Sequence, residues 1–236
     1  MPALRLGLRM VRGLSRSHAV RIVEAHASAG PFRSFAEFAR RTGLSSAVLA
    51  TLSSADAFAS LRLNRRGALW ESLPEQRQLP LFDSLEPDEP PVELPEMSPF
   101  EEVSGDYRAV GLSLRDHPLK FVRPLLDKLR VVRAKDLATL PADRRYKVGG
   151  LVLLRQRPST AKGITFVTLE DETGMANLII RQDVWEKHRQ VARRAQAMIA
   201  HGRLQRQDGV IHILAEKLED LSRQMTAVAI RSRDFR

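Results

Sequence analysis

The sequence predicts a multidomain α+β chain: paired helical hairpins, an acidic proline-rich linker, then a five-stranded β-barrel. Three observations predict it. Apolar residues recur at helical spacing within residues 1–72, and at strand spacing within 141–221. Between them, residues 73–104 are crowded with prolines and carboxylates that build no core.

Residues 1–72 read as a helical domain. Gly13-Leu14-Ser15 precedes a helix whose apolar face is Ala19, Ile22, Val23 and Ala27. Gly30-Pro31 ends it, and Ser34 with Glu37 makes a capping box for a short helix carrying Phe35 and Phe38. Gly43-Leu44-Ser45 then repeats the tripeptide ahead of Val48, Leu49 and Leu52. Short helices joined twice by a Gly-hydrophobic-small turn describe a tandem helix-hairpin-helix domain. Such a turn aims backbone N–H groups and a helix N-terminus at a phosphate oxygen. Arg12, Gly13, Leu14, Ser15 and Arg16 are the candidate contacts, with Arg21 adding charge. The second hairpin has no Lys or Arg from Gly43 to Leu61 and reads as structural.

The linker, residues 73–104, holds seven prolines from Pro74 to Pro99. Residues 83–102 carry eight of the 28 acidic residues and none of the 38 basic ones. Within it, Gln78-Leu79-Pro80-Leu81-Phe82 resembles the pentapeptide by which bacterial polymerases hold the sliding clamp. Leu81 and Phe82 would be apolar anchors, while Gln78 and Leu79 complete the motif.

Residues 105–140 return to helical patterning, with Leu112, Leu114, Leu119, Phe121, Leu125, Leu126 and Leu129 apolar and His117-Pro118 interrupting. This segment reads as a preface to the barrel. The barrel, residues 141–221, opens with the strand 147–157 and continues with 164–170 and 176–181 around Thr173-Gly174. One helix follows, capped by Asp183 with Glu186 three residues on. Strands 198–206 and 210–217 meet across Asp208-Gly209, a strong hairpin signal. Three strands, a helix and two strands is the order of an OB-fold, which binds oligonucleotides on one face and two loops. Its candidate contacts are Arg155, Arg157, Lys162, Phe166, Asn177 and Arg181. Phe166 would be the stacking platform, although Ile164, Val167 and Leu169 around it favour the core. Residues 222–236 form a basic tail.

Net charge is +10 over 236 residues, and with the acidic stretch set apart the two flanking bodies are strongly basic, a common footprint of nucleic-acid binding that an Arg-rich genome would also give. There is no cysteine, so disulfides and thiol catalysis are excluded. No catalytic or metal site is expected: the six histidines lack metal-ligand spacing, and Glu170, Asp171 and Glu172 read as solvated turn acids. No signal peptide or membrane span is legible, and a cytoplasmic protein is expected.

Longer motifs carry a resemblance. The stretch from Gly105-Asp106-Tyr107-Arg108 to His117-Pro118, and Lys162-Gly163 with Phe166 to Gly174, resemble the C-family replicative polymerases, DNA polymerase III α-subunit-like. The closing Ser232-Arg233-Asp234-Phe235-Arg236 is similar to the C-terminus of that family's damage-inducible, error-prone branch. The resemblance implies a DNA-binding, clamp-tethering C-terminal portion acting in translesion synthesis. It would hold duplex at the hairpins and single-stranded template at the barrel, with accessory translesion subunits as further partners. Mg2+ belongs to the full-length polymerase, and this chain has no Asp-x-Asp pair to hold it, so alone it is expected not to polymerise. Two other readings are a protein-interaction adaptor and an OB-type tRNA-binding protein.

Overall fold

The computed structural model describes residues 6–73, 94–161, 163–207, 209–225 and 233–235. Contacts divide the chain into two units, Met1–Leu112 and Ser113–Arg236.

In the first unit, α1 spans Arg16–Ala29, α2 Phe35–Thr42, α3 Ser46–Ser54, α4 Arg65–Glu71 and α5 Pro99–Ala109. Its core is small. Ile22, Leu49, Leu52 and Ala68 surround Phe35, Phe38 and Phe58. Phe35 and Phe38 each meet Phe58 edge to face, with centroids 4.8 and 5.0 Å apart. That core takes a narrow stripe of α1: Ile22 is buried, but Val23, expected beside it, is 61% exposed. Ser34 caps α2 as predicted, yet Glu37 returns to the Arg33 amide at 2.8 Å instead of closing the box on Ser34.

The linker ends earlier than the composition suggests. Ser98 and Glu101 form a complete capping box, and Pro99 occupies the first turn, so α5 begins inside the acidic stretch. Helix α5 also belongs to the helical unit rather than prefacing the barrel. Arg65 of α4, 3% exposed, reaches Asp106 at 2.5 Å and the Glu102 carboxylate at 2.9 Å. Gly105 makes this possible, because a Cβ there would stand 2.2 Å from the Arg65 Nη1.

The second unit holds α6 (Pro118–Lys128), β1 (Val131–Val132), β2 (Arg145–Gln156), β3 (Thr165–Asp171), β4 (Gly174–Ile180), α7 (Gln182–Lys187), α8 (Arg189–Arg194), β5 (Ala197–Gln207), β6 (Val210–Asp220) and β7 (Arg233–Phe235). Strands run β2-β3-β4-β6-β5, and β5 returns to β2, so five strands close the expected OB barrel. Val152, Val167, Leu178, Met198, Leu204 and Ile213 fill it. Gln207 pairs with Val210, the register that the Asp208-Gly209 signal predicts.

Two expectations here are corrected. The single helix is two short ones that meet at His188; Arg181 holds the cap position, and Asp183 sits in the first turn, bridged to Arg181 at 3.0 Å. Two of the turn acids, Asp171 and Glu172, are held by protein partners rather than left to solvent. Asp171 is buried and accepts from the Thr173 and Gly174 amides at 2.7 and 3.1 Å, and from the Ala134 amide at 2.8 Å. Glu172 grips Arg123 of α6 through two bonds, 2.6 and 2.8 Å, which ties that helix to the barrel.

Candidate nucleic-acid interface

Strand register assembles the site. Partners across a ladder share a sheet face, so residues can be followed around the barrel wall. One outward row runs Arg145, Arg203, Leu214, Ile179, Phe166, Gln156. The row beside it runs Gln205, His212, Asn177, Thr168, Leu154. Phe166 is 39% exposed and lies outside the core, because Thr165, Val167 and Leu169 are the inward set of β3. Asn177 is exposed, and its side-chain oxygen accepts from the Thr168 hydroxyl at 3.2 Å. His212 and Gln205 pair at 3.1 Å. An aromatic ring, apolar neighbours and adjacent amides suit a base stacked on the wall and bonded at its edge.

Charge gathers at one end of the first row. Glu216 bonds to Arg145 at 2.8 Å. That bond, then the charges of Arg145, Arg203 and Arg181, hold its carboxyl below the usual range. Arg181, a sequence candidate, is thus exposed near this cluster. Arg157 is exposed as expected, with its guanidinium 5.4 Å from the Trp185 ring. Lys162 lies outside the described residues, as do Gln78, Leu79, Leu81 and Phe82.

Arg155 is the clear correction. It is 6% exposed, and it donates to the Ala192 carbonyl at 2.9 Å and to that of Ala195. A register shift between Val152 and Leu154 inverts the alternation of β2 and turns Arg155 inward, opposite Val167. Arg155 anchors the end of α8 and is absent from the outward face.

The first helical hairpin is similarly occupied. Gly13 takes the left-handed conformation at φ 83°, and Ser15 caps α1 by accepting from the His18 amide at 3.2 Å. Leu14 bonds to the Val11 carbonyl at 3.3 Å, and Arg16 is exposed. Arg12, however, is committed to α5: its amide bonds to Ala109 at 2.9 Å and its guanidinium to the Tyr107 and Arg108 carbonyls at 3.2 Å each. The second hairpin is the more regular one, with α2 and α3 joined at Gly43, φ 55°. Arg21 comes to it rather than to the first, donating to the Gly43 carbonyl at 2.8 Å.

Sequence reasoning missed Arg145, Arg203, Gln205 and His212. The signal was present: the Asp208-Gly209 turn sets the β5–β6 register, which pairs Gln205 with His212 and Arg203 with Leu214.

The fold defines the class, a helix-hairpin-helix unit followed by an OB-fold barrel. Residues 2–68 match the helix-hairpin-helix motif family, and residues 146–221 the OB-fold nucleic acid binding domain family. The chain is 47% identical over 239 residues to the error-prone DNA polymerase of Rhodopirellula baltica, covering 100% of this chain and 21% of that protein. It is 46% identical over 233 residues to the error-prone DNA polymerase of Anaeromyxobacter dehalogenans strain 2CP-C, covering 98% and 20%. Over its whole length the chain matches the C-terminal regions of bacterial error-prone DNA polymerases, and it spans about a fifth of the length of these relatives. Among solved structures, asparaginyl-tRNA synthetase from Pyrococcus horikoshii shares 17% identity at a TM-score of 0.34, over 39% of this chain and 22% of that one. That likeness is too slight to bear on function. Among the described residues no three His, Asp or Glu side chains gather as a metal site, so they do not fit the magnesium of a polymerase centre. No helix among them is long and apolar enough to cross a membrane.

Proposed function

We propose that this chain is the DNA-handling region of an error-prone polymerase that acts in translesion synthesis. The outer face of the barrel takes single-stranded template, and a helical hairpin takes duplex. The Gly43 hairpin is the better duplex candidate, since two regular helices flank it. The observation that carries the reading is the pair of outward rows, which combine Phe166 and Asn177 with a basic end at Arg145 and Arg203. Phosphate contacts set affinity and salt dependence, while the wall stacks bases with little regard to sequence.

Fluorescence anisotropy of a labelled oligothymidylate tests this. Affinity should fall steeply with salt, the log–log slope changing by about 0.7 for each phosphate contacted. A flat profile, or no binding at low salt, overturns the reading in favour of a protein-interaction adaptor. Competition in which tRNA displaces primer-template DNA would favour an OB-type tRNA-binding protein.

Gln78, Leu79, Leu81 and Phe82 would tether the sliding clamp. Replacing Leu81 and Phe82 with Ala should abolish clamp pull-down at unchanged DNA affinity; retained pull-down removes the motif. The chain assigns itself no catalytic step, and primer extension by the isolated chain with Mg2+ should yield no product.

A further inference from the structure

We infer that Arg233 and Phe235 are nucleic-acid contacts, carried onto the binding face by the C-terminal strand β7. This rests on the barrel wall being the site for single strands.

Strand β2 outruns its partner β5. Strand β5 accompanies it only as far as Leu151, so on that edge Leu154 to Gln156 would end the sheet. There β7 pairs with it in parallel: Arg233 stands opposite Leu154, Asp234 opposite Arg155, and Phe235 opposite Gln156. Leu154 and Gln156 close the two outward rows, beside Thr168 and Phe166. Arg233 and Phe235 therefore occupy register positions that lengthen both rows by one residue, at the end remote from Arg145 and Arg203.

The parity separates two duties. Asp234 is the register partner of the buried Arg155, a position suited to anchoring the strand. Arg233 and Phe235 fall on the opposite parity, in register with Leu154 and Gln156. They are an arginine and an aromatic, the two residue types that bind single strands through phosphate and base. Phe166 is the sole phenylalanine, tyrosine or tryptophan in the rows described above. A second ring would give adjacent bases a platform each.

The test uses the full chain and labelled oligothymidylate, with thermal midpoints recorded for every variant. Phe235→Ala and Phe235→Leu should each weaken binding about five-fold or more, and Phe235→Trp should keep it. Arg233→Ala should reduce the salt slope by about 0.7. Phe235→Leu preserves apolar bulk, so its loss of affinity reports stacking rather than strand attachment. If the Phe235→Leu and Arg233→Ala chains bind as the unmodified chain does while Phe166→Ala binds weakly, the tail contributes no contact and the inference fails alone. If Phe166→Ala also binds normally, or the unmodified chain does not bind, the wall is not the site and both readings fall.

Discussion

The helical unit and the barrel use arginine differently. In the helical unit, Arg12, Arg21, Arg41 and Arg65 all donate to backbone carbonyls of other elements or loops. Charged hydrogen bonds to carbonyls that helices leave open supplement a core built around three phenylalanines. The barrel closes on its own ladder and fills with aliphatic side chains. It too sends arginines to backbone carbonyls, Arg123, Arg155 and Arg206, but in its outward rows Arg145 serves the exposed Glu216 and Arg203 stands exposed beside it. The difference teaches that a count of basic residues does not locate a binding face. Each cation must first be assigned to the carbonyls and carboxylates it already serves.

The strongest challenge to this contrast is Arg65→Ala. Leaving Asp106 buried without its guanidinium should destabilise the helical unit by about 3–5 kcal/mol while amide protection in the barrel stays unchanged. Hydrogen exchange resolved by segment would show it, and an equal loss in both units would dissolve the distinction. In the barrel, Arg155→Ala should cost about 2–3 kcal/mol in denaturant unfolding, since charged bonds to Ala192 and Ala195 disappear. A change below about 0.5 kcal/mol would return Arg155 to the surface. Phe166→Ala should weaken oligonucleotide binding by about 1–3 kcal/mol yet shift stability by under about 0.5 kcal/mol. A large loss of stability would make Phe166 a core residue after all.

The smallest effect is a difference in pH response. Burial foremost holds His188 and His201 below the ordinary histidine value; nearby lysines add to it, and Glu219 opposes it. The unfolded chain therefore takes up their protons first, and stability present above about pH 6.5 is lost as pH falls toward the folded values. In the helical unit, Glu37 and Glu101 are held below the usual carboxylate range, chiefly by the Arg33 and Ser98 amides. Their contribution persists until pH drops below about 4.5. Exchange protection measured from pH 7 to 5 should decline in the barrel before it does in the helices.

Much of this was legible in the letters. Period-two alternation and the Asp208-Gly209 turn revealed the strand order, and helical patterning on both sides of a Gly-Leu-Ser turn, which also occurs at Gly111-Leu112-Ser113, revealed the hairpins. Strict alternation would also have turned Phe166 outward; judging it by its apolar neighbours set it inside. Arg155 was not legible, because a one-residue bulge in β2 reverses every side after it and has no marker in the sequence. Nor was the fate of Arg12 and Arg21, whose partners lie at Tyr107 and Gly43, far along the chain. Long-range hydrogen bonds decide which charges remain available, and local pattern does not report them.

Strand β2 pairs with β1, β3, β5 and β7. This single ribbon is consequently the bottleneck of folding. Its first half waits for β5, some fifty residues later, and that high contact order favours slow closure. A ribosome extruding this chain would expose the edge of β2 until the last strands emerge, an interval in which chaperones or a neighbouring nascent chain could pair with it.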